Sequence, residues 1–158
     1  MKVISEFFQR GQAGRKNAPM LAWETVHGKP YPGFKSGRVP NAKERSWNGI
    51  MVDTELKNEW LEALNNISQI TVRSSCQGHK PEGEWPSFII IRLKNESKVN
   101  KVVKQLHDGK FTFCKAERGP QGFMRVCIAT PLYAKGSKHN LWEKWWSTLP
   151  ARIQKAVN

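Results

Sequence analysis

The sequence predicts an α+β fold, in which one mainly antiparallel sheet carries helices packed on it. Two patterns support this prediction. Four short apolar stretches have the length of strands, and three stretches have apolar residues at helical spacing, in the order α-β-β-α-β-β-α. The length of 158 residues is typical of one compact domain with a core of its own.

Residues 1–49 differ from the rest in composition and predict a basic, irregular N-terminal arm. They carry nine Lys and Arg against three Glu, and residues 10–49 hold six Gly and four Pro with little periodicity. Glycine and proline at this density signal turns. The folded body, a single α+β domain with a Trp-rich C-terminal helix, is therefore expected over residues 50–158.

The first half of the body predicts a helix and two strands. Asp53 or Thr54 can cap the helix. Its apolar positions are Leu56, Trp60, Leu64 and Ile67. A strand at about 69–75 follows, and the apolar run at about 87–93 predicts a central strand covered on both faces.

The second half predicts a helix, a hairpin and a last helix. Asn95 is expected to cap the helix, and strands at about 111–117 and 123–129 form the hairpin. The last helix has one apolar face, made of Trp142, Trp146, Leu149 and Ile153. Pro150 is expected to kink this helix or to begin a second short one. Trp145, about a hundred degrees from that face, is expected to be exposed.

Charge is the unusual feature of the composition. The chain has 26 Lys and Arg against 13 Asp and Glu, a net charge of +13. A net charge of about 2–8 suffices for a soluble small domain, so the excess favours a polyanionic partner. Nucleic acid is the first candidate. An anionic membrane surface is the second candidate, but it is not the predicted partner. No run approaches about 18 apolar residues, so no transmembrane helix is expected.

The cysteine count favours a reducing compartment. Three cysteines are an odd number and do not suggest a disulfide framework. The N-terminal residues also lack the continuous apolar core of a signal peptide. A cytoplasmic location is therefore expected.

The segment ITVRSSCQGH, residues 70–79, ends a predicted strand in small and polar residues and is the main candidate site. Cys76 and His79 have the spacing of half a zinc site, but the second half is missing, so no metal is expected. Cys76 could act as a nucleophile if His79 folds back as its base. The favoured interpretation is a concave turn that binds an anion or a small ligand, and a plain tight turn is the alternative. The predicted ligand-binding residues are Ser74, Ser75, Cys76, Gly78, His79 and Asp53.

A second candidate site is a phosphate-binding track of basic residues. The most informative of these are Arg73, Arg92 and Arg125, because each interrupts an apolar strand. A charged side chain is uncommon in such a strand unless that face of the sheet binds something. The other predicted nucleic-acid-binding residues are Lys98, Lys101, Lys104, Lys115 and Arg118 of the body and Arg38, Lys43 and Arg45 of the arm. For many of the lysines, a merely solvated surface is the alternative.

A resemblance to a known family rests on the segment before and within the candidate turn. The matching residues are Gly49, Val52, Asp53, Leu64, Asn65, Ser74, Ser75, Cys76 and Gly78. In these residues, and over about residues 48–93, the sequence resembles the tRNA wybutosine-synthesis methyltransferase family. The resemblance implies methyl transfer from S-adenosylmethionine to a hypermodified guanosine of tRNA, with Ser74, Ser75 and Gly78 at the cofactor or substrate. His79 stands where that family has arginine.

Together these observations predict an RNA-directed protein. If it is an enzyme, S-adenosylmethionine is the expected cofactor and methyl transfer the expected reaction, which needs alignment more than an acid–base pair. No catalytic residue is assigned. The alternative is a non-enzymatic nucleic-acid-binding or inhibitor protein of a phage or another mobile element.

Overall fold

The computed structural model describes residues 11–32, 44–48, 50–78, 86–119 and 121–158. The helices are α1 (Gly11–His27), α2 (Asn58–Asn65), α3 (Val99–Leu106) and α4 (His139–Val157), and a 3-10 turn (Glu96–Lys98) precedes α3. The strands are β1 (Glu44–Trp47), β2 (Ile50–Asp53), β3 (Ile70–Cys76), β4 (Ser87–Leu93), β5 (Phe113–Arg118) and β6 (Met124–Thr130). These elements confirm the predicted α+β fold. No helix in the described stretches is long and apolar enough to cross a membrane.

The main sheet has four strands in the order β3-β4-β6-β5, and every neighbouring pair is antiparallel. β4 lies inside the sheet, and six of its seven residues are buried, which confirms the covered central strand predicted from its continuous apolar run. β1 and β2 form a separate antiparallel ribbon, which the sequence pattern did not indicate.

The inner face of the main sheet carries most of the core. Side chains alternate between the two faces of a strand, and the inner set of apolar residues packs with α2, α3 and α4. Trp142 and Trp146 of α4 belong to this cluster and are almost fully buried. The Asn95 side chain accepts a hydrogen bond from the Ser97 backbone N–H at 3.1 Å, so it caps the 3-10 turn that leads into α3, whereas α3 itself begins after Lys98 without a side-chain cap.

The outer face is covered at one end by α1. Ala18, Leu21 and Ala22 of this helix are buried against a patch of the sheet that includes Phe88 and Ile90. Residues 11–27 are therefore helical where an irregular arm was predicted. Tertiary burial outweighs the low helix propensity of the glycines and the proline in this segment, because packing supplies most of the stability of helices in proteins.

Two expectations for α4 need correction. The helix is continuous from His139 to Val157, so no second helix begins at Pro150; Pro150 is buried, as are Leu149 and Ile153 on either side of it. Trp145 is buried, not exposed, and its indole N–H donates to the Thr112 hydroxyl at 2.9 Å. The loop before β5 covers this side of the helix, which the periodicity of the helix alone does not reveal.

Three predicted site residues lie outside the described residues. They are His79, Arg38 and Lys43.

Candidate nucleic-acid interface

The loop after β3 is held by hydrogen bonds to β2. The backbone N–H of Gln77 donates to Asp53 Oδ2 at 2.7 Å, and the Gln77 side-chain oxygen accepts from the Glu55 backbone N–H at 3.0 Å. Asp53 therefore ties the end of β2 to the end of β3. It does not cap α2, which begins only at Asn58.

Ser87, the first residue of β4, joins the same loop to α4. Its hydroxyl donates to the Cys76 carbonyl oxygen at 3.0 Å and accepts from the indole N–H of Trp146 at 2.8 Å. The indole N–H of Trp142 donates to the Gln77 carbonyl oxygen at 3.0 Å. All these groups are buried, and buried polar groups stabilise a fold only when they are paired. We call this set of contacts the β3–β4 junction.

Gly78 and Cys76 have structural reasons for their identity at this junction. Gly78 has a φ of +83°, and a Cβ there would lie 2.9 Å from the Ser87 backbone nitrogen, so only glycine fits. Burial, followed by the negative charge of Asp53, raises the pKa of the Cys76 thiol well above its usual value. A thiol of this kind is protonated and inert at neutral pH, which argues against a nucleophilic cysteine.

The predicted ligand-binding residues do come together, but as buried groups. Asp53, Ser74, Cys76 and Gly78 are all buried, and Ser75 is half-buried. Ser74 is 1% exposed. Its hydroxyl is buried and has no hydrogen-bond partner within the described chain. For the other three buried residues, the packing and hydrogen bonds of the junction account for their presence without a ligand.

Three of the predicted basic residues meet on the outer face of the sheet. Arg92 of β4 and Arg125 of β6 lie directly opposite each other in register. Arg92 comes two positions after Ile90, and Arg125 comes two positions before Cys127. Because Ile90 and Cys127 pack under α1, both arginines belong to the outer face. Arg73 lies at the β-bulge of β3. A bulge at the edge of a sheet changes the direction of the side chains at that point.

These residues form one cleft beyond the patch that α1 covers. We call it the arginine cleft; it is lined by Arg73, Arg92, Gly119, Gln121, Phe123, Met124 and Arg125.

The charges in the arginine cleft are unbalanced. Glu117 lies opposite Arg125 in register, and its carboxylate accepts from the Arg125 guanidinium at 2.6 and 3.1 Å. No carboxylate of the described chain pairs with Arg92 or Arg73. Arg92 and Arg73 thus bring positive charge to the cleft without a described carboxylate partner, and like charges directly opposite on neighbouring strands repel.

Phe123 completes the arginine cleft and was missed by the sequence analysis. The Arg92 guanidinium carbon lies 3.4 Å from the centroid of the Phe123 ring, the geometry of a cation–π stack. The ring is nevertheless 43% exposed. The apolar pattern predicts Phe123 only as the start of a strand, and its place directly after a hairpin glycine is the signal in the sequence for an exposed ring.

Two lysines of the predicted track have a structural partner. The Lys98 ammonium donates to the Val157 carbonyl oxygen at 2.6 Å, and Lys101 donates to the Asn158 carbonyl oxygen at 3.0 Å. These carbonyls end α4, where cations stabilise a helix. Lys98 and Lys101 therefore hold α4 against α3.

The remaining basic residues are spread over the surface. Lys104 and Lys115 are exposed. Arg118 is exposed too, donates to the Gly122 carbonyl oxygen, and lies 3.8 Å from a Glu96 carboxylate oxygen. Arg45 donates to the Leu56 carbonyl oxygen, so it fixes the β1–β2 ribbon to the start of α2. The structure thus does not gather all the predicted basic residues into one track.

The described stretches contain no group of three or more His, Cys, Asp or Glu that could hold a metal ion. No protein family model, no curated protein and no solved structure matches the chain. The assignment of a function therefore depends on the residues of the two candidate sites themselves.

Proposed function

We propose that the protein binds nucleic acid, with RNA as the favoured partner, through the arginine cleft. The observation that carries this proposal is the position of Arg92 opposite Arg125 with Arg73 beside them, where neither Arg73 nor Arg92 pairs with a carboxylate of the described chain. A phosphate group placed in the cleft would relieve the repulsion between the guanidinium groups. Arginine suits this purpose because its planar fork donates two parallel hydrogen bonds to a phosphate.

The charge of the whole chain supports the same partner. With +13, the protein attracts polyanions at long range and gains free energy from released counterions when it neutralises phosphates. RNA is preferred to DNA in the proposal because the resemblance over residues 48–93 is to a family that acts on tRNA. The three cysteines are unpaired and buried, which fits a reducing compartment, and the cytoplasm is the proposed location.

S-adenosylmethionine stays a prediction of the resemblance. The turn that the resemblance assigns to the cofactor is occupied by the buried contacts of the β3–β4 junction, so the proposal made here is a binding function. Calorimetry with S-adenosylmethionine, in the presence and absence of tRNA, tests the prediction separately. Heat that saturates at micromolar cofactor would support a methyltransferase. No heat in either titration would contradict the methyltransferase prediction.

The test of the proposed function compares one charge inside the cleft with one outside it. Arg73→Gln is expected to weaken binding of a 20-nucleotide RNA about tenfold, or about 1.4 kcal/mol, in fluorescence anisotropy at moderate salt. Lys155→Gln on α4 removes the same charge from an exposed position and is expected to change the affinity less than twofold.

A salt series identifies the contact as one to phosphate. The slope of log affinity against log salt is expected to become shallower by about 0.7 in Arg73→Gln, the contribution of one phosphate on a single strand. Equal losses in both variants, or an affinity that barely depends on salt, would contradict the proposal. A DNA strand of the same sequence is run in parallel, and equal affinity for DNA would remove the preference for RNA.

A further inference from the structure

The exposed ring of Phe123 indicates what kind of nucleic acid the arginine cleft takes. In the described chain, the large apolar side chains that remain exposed are Phe111, Phe123 and Leu141. Phe123 differs from the other two because it lines the arginine cleft and stacks on Arg92 at 3.4 Å. An aromatic ring that is exposed among arginines combines the two kinds of group that bind bases and phosphates.

The backbone under Phe123 is fixed, so the ring is a rigid platform. The Gly119 N–H donates to the Phe123 carbonyl oxygen at 2.7 Å, and the Gly122 N–H donates to the Gly119 carbonyl oxygen at 3.0 Å. Arg118 adds a hydrogen bond to the Gly122 carbonyl oxygen. These hydrogen bonds hold the backbone that leads into Phe123, so little backbone conformational entropy is lost when a ligand packs on the ring.

The size of the cleft decides where a base can lie. The space between the arginines and the ring is only about 20 Å³, which holds about one water-sized group. A phosphate oxygen fits there, whereas a base does not. A base must therefore stack on the exposed part of the Phe123 ring, while the phosphate next to it reaches Arg73 and Arg92.

We infer that the ligand of the cleft is a single strand, and that one unpaired base stacks on Phe123. This inference rests on the proposed function and specifies its substrate class. Bases within a duplex are already stacked on their neighbours, so they cannot offer a free face to the ring. Aromatic stacking accepts every base because each has a π face, so no strong sequence preference is expected.

The test uses the second exposed phenylalanine as a matched control. Phe123→Leu is expected to weaken binding of a 12-nucleotide single-stranded RNA about tenfold, the usual loss for one stacked base. Binding of a 12-base-pair duplex and the salt slope should not change. Phe111→Leu, which removes an aromatic ring of similar exposure elsewhere, should leave single-strand binding unchanged, and Phe123→Trp should retain it.

A spectroscopic measurement detects the stacking directly. A single-stranded RNA with one 2-aminopurine loses fluorescence when that base stacks on a ring. The native protein and Phe123→Trp are expected to quench it, and Phe123→Leu is expected not to. Comparison of circular dichroism spectra and melting curves shows whether each variant is folded.

The outcomes separate this inference from the proposed function. If Arg73→Gln weakens RNA binding while Phe123→Leu leaves it unchanged, the stacking inference is overturned and the proposed function stands. If Phe123→Leu weakens duplex binding as much as single-strand binding, the ring only positions Arg92, and the inference is again overturned. If neither variant changes binding, both are overturned.

Discussion

The Ser74 hydroxyl lies on β3, opposite Ile90, and is buried without a hydrogen-bond partner within the described residues. A buried unpaired hydroxyl costs about 1–3 kcal/mol. We expect Ser74→Ala to raise the free energy of unfolding by about 1 kcal/mol in urea denaturation, with an unchanged slope. RNA affinity should not change.

The neighbouring Ser75→Ala is the control for this prediction. Ser75 is half-buried, and its replacement should change stability by less than about 0.5 kcal/mol. A loss of stability in Ser74→Ala would show that the hydroxyl has a partner. A loss of ligand affinity without a loss of stability would restore the ligand-binding role that the resemblance implies.

The buried thiols make stability depend on alkaline pH. Burial is the main cause that raises the pKa of Cys114 and of Cys127 from 9.0 to about 12. In the unfolded chain these thiols ionise near pH 9, so between pH 9 and 12 the folded state holds more protons than the unfolded state. The stabilising effect is complete below pH 9 and is lost as the pH rises, by about 1.4 kcal/mol per pH unit for each thiol.

The pH prediction is checked by urea denaturation between pH 8 and 11. Cys114→Ala should show a decline that is shallower than that of the native protein by about 1.4 kcal/mol per pH unit. The two proteins differ only at position 114, so the difference between their slopes isolates the thiol. Parallel declines would mean that Cys114 ionises near its ordinary pKa in the folded protein.

At the scale of elements, the β3–β4 junction is where one side chain connects two strands and a helix. Ser87→Ala would leave the Trp146 N–H and the Cys76 carbonyl oxygen buried without their partner. We expect a loss of about 2–4 kcal/mol in the free energy of unfolding, since each unsatisfied group costs about 1–3 kcal/mol.

Two measurements accompany the Ser87 variant. Ser147→Ala, on the exposed side of α4, should change stability by less than about 0.5 kcal/mol. The near-ultraviolet circular dichroism of the tryptophans should change only in Ser87→Ala, because Trp142 and Trp146 both contact that hydroxyl. A loss under 1 kcal/mol would mean that the junction can rearrange around the missing hydroxyl.

The elements that could be predicted from sequence are those with a strong local pattern. β4 has an unbroken apolar run, and α3 has a clear apolar stripe after an Asn cap, so both were predicted correctly. α1 could not be predicted, because its weak helical pattern acquires a buried face only when the sheet is present. The continuity of α4 past Pro150 depends in the same way on burial.

The candidate site could be predicted only in part, because several of its features also depend on tertiary contacts. Arg73, Arg92 and Arg125 could be selected because a charge in an apolar strand is visible in the sequence. The pairing of Arg125 with Glu117 depends on the register of β5 and β6, and the place of Phe123 in the cleft depends on the sheet that forms around it. The polar residues at 74–78 predict a ligand site in the sequence. Sequence alone does not show that most of these polar groups are buried and paired with one another.

At the scale of the whole molecule, the excess of positive charge serves two purposes. Lys98 and Lys101 hold the end of α4 through its last carbonyls, whereas Arg73 and Arg92 line the arginine cleft. The double variants K98Q/K101Q and R73Q/R92Q each remove two charges, so each has a net charge of 13 − 2, or +11. Any difference between them must arise from the position of the charges.

The two double variants should differ in which property they lose, stability in one and RNA affinity in the other. K98Q/K101Q should lower the free energy of unfolding by about 1 kcal/mol, since each cation at a helix end contributes about 0.3–1 kcal/mol, and should weaken RNA binding less than threefold. R73Q/R92Q should weaken RNA binding about a hundredfold, at about tenfold per 1.4 kcal/mol for each arginine, and should change stability little. Urea denaturation and anisotropy on the same preparations measure both quantities. Equal losses of affinity would show that the protein attracts RNA through its total charge, and the arginine cleft would then have no special part in binding.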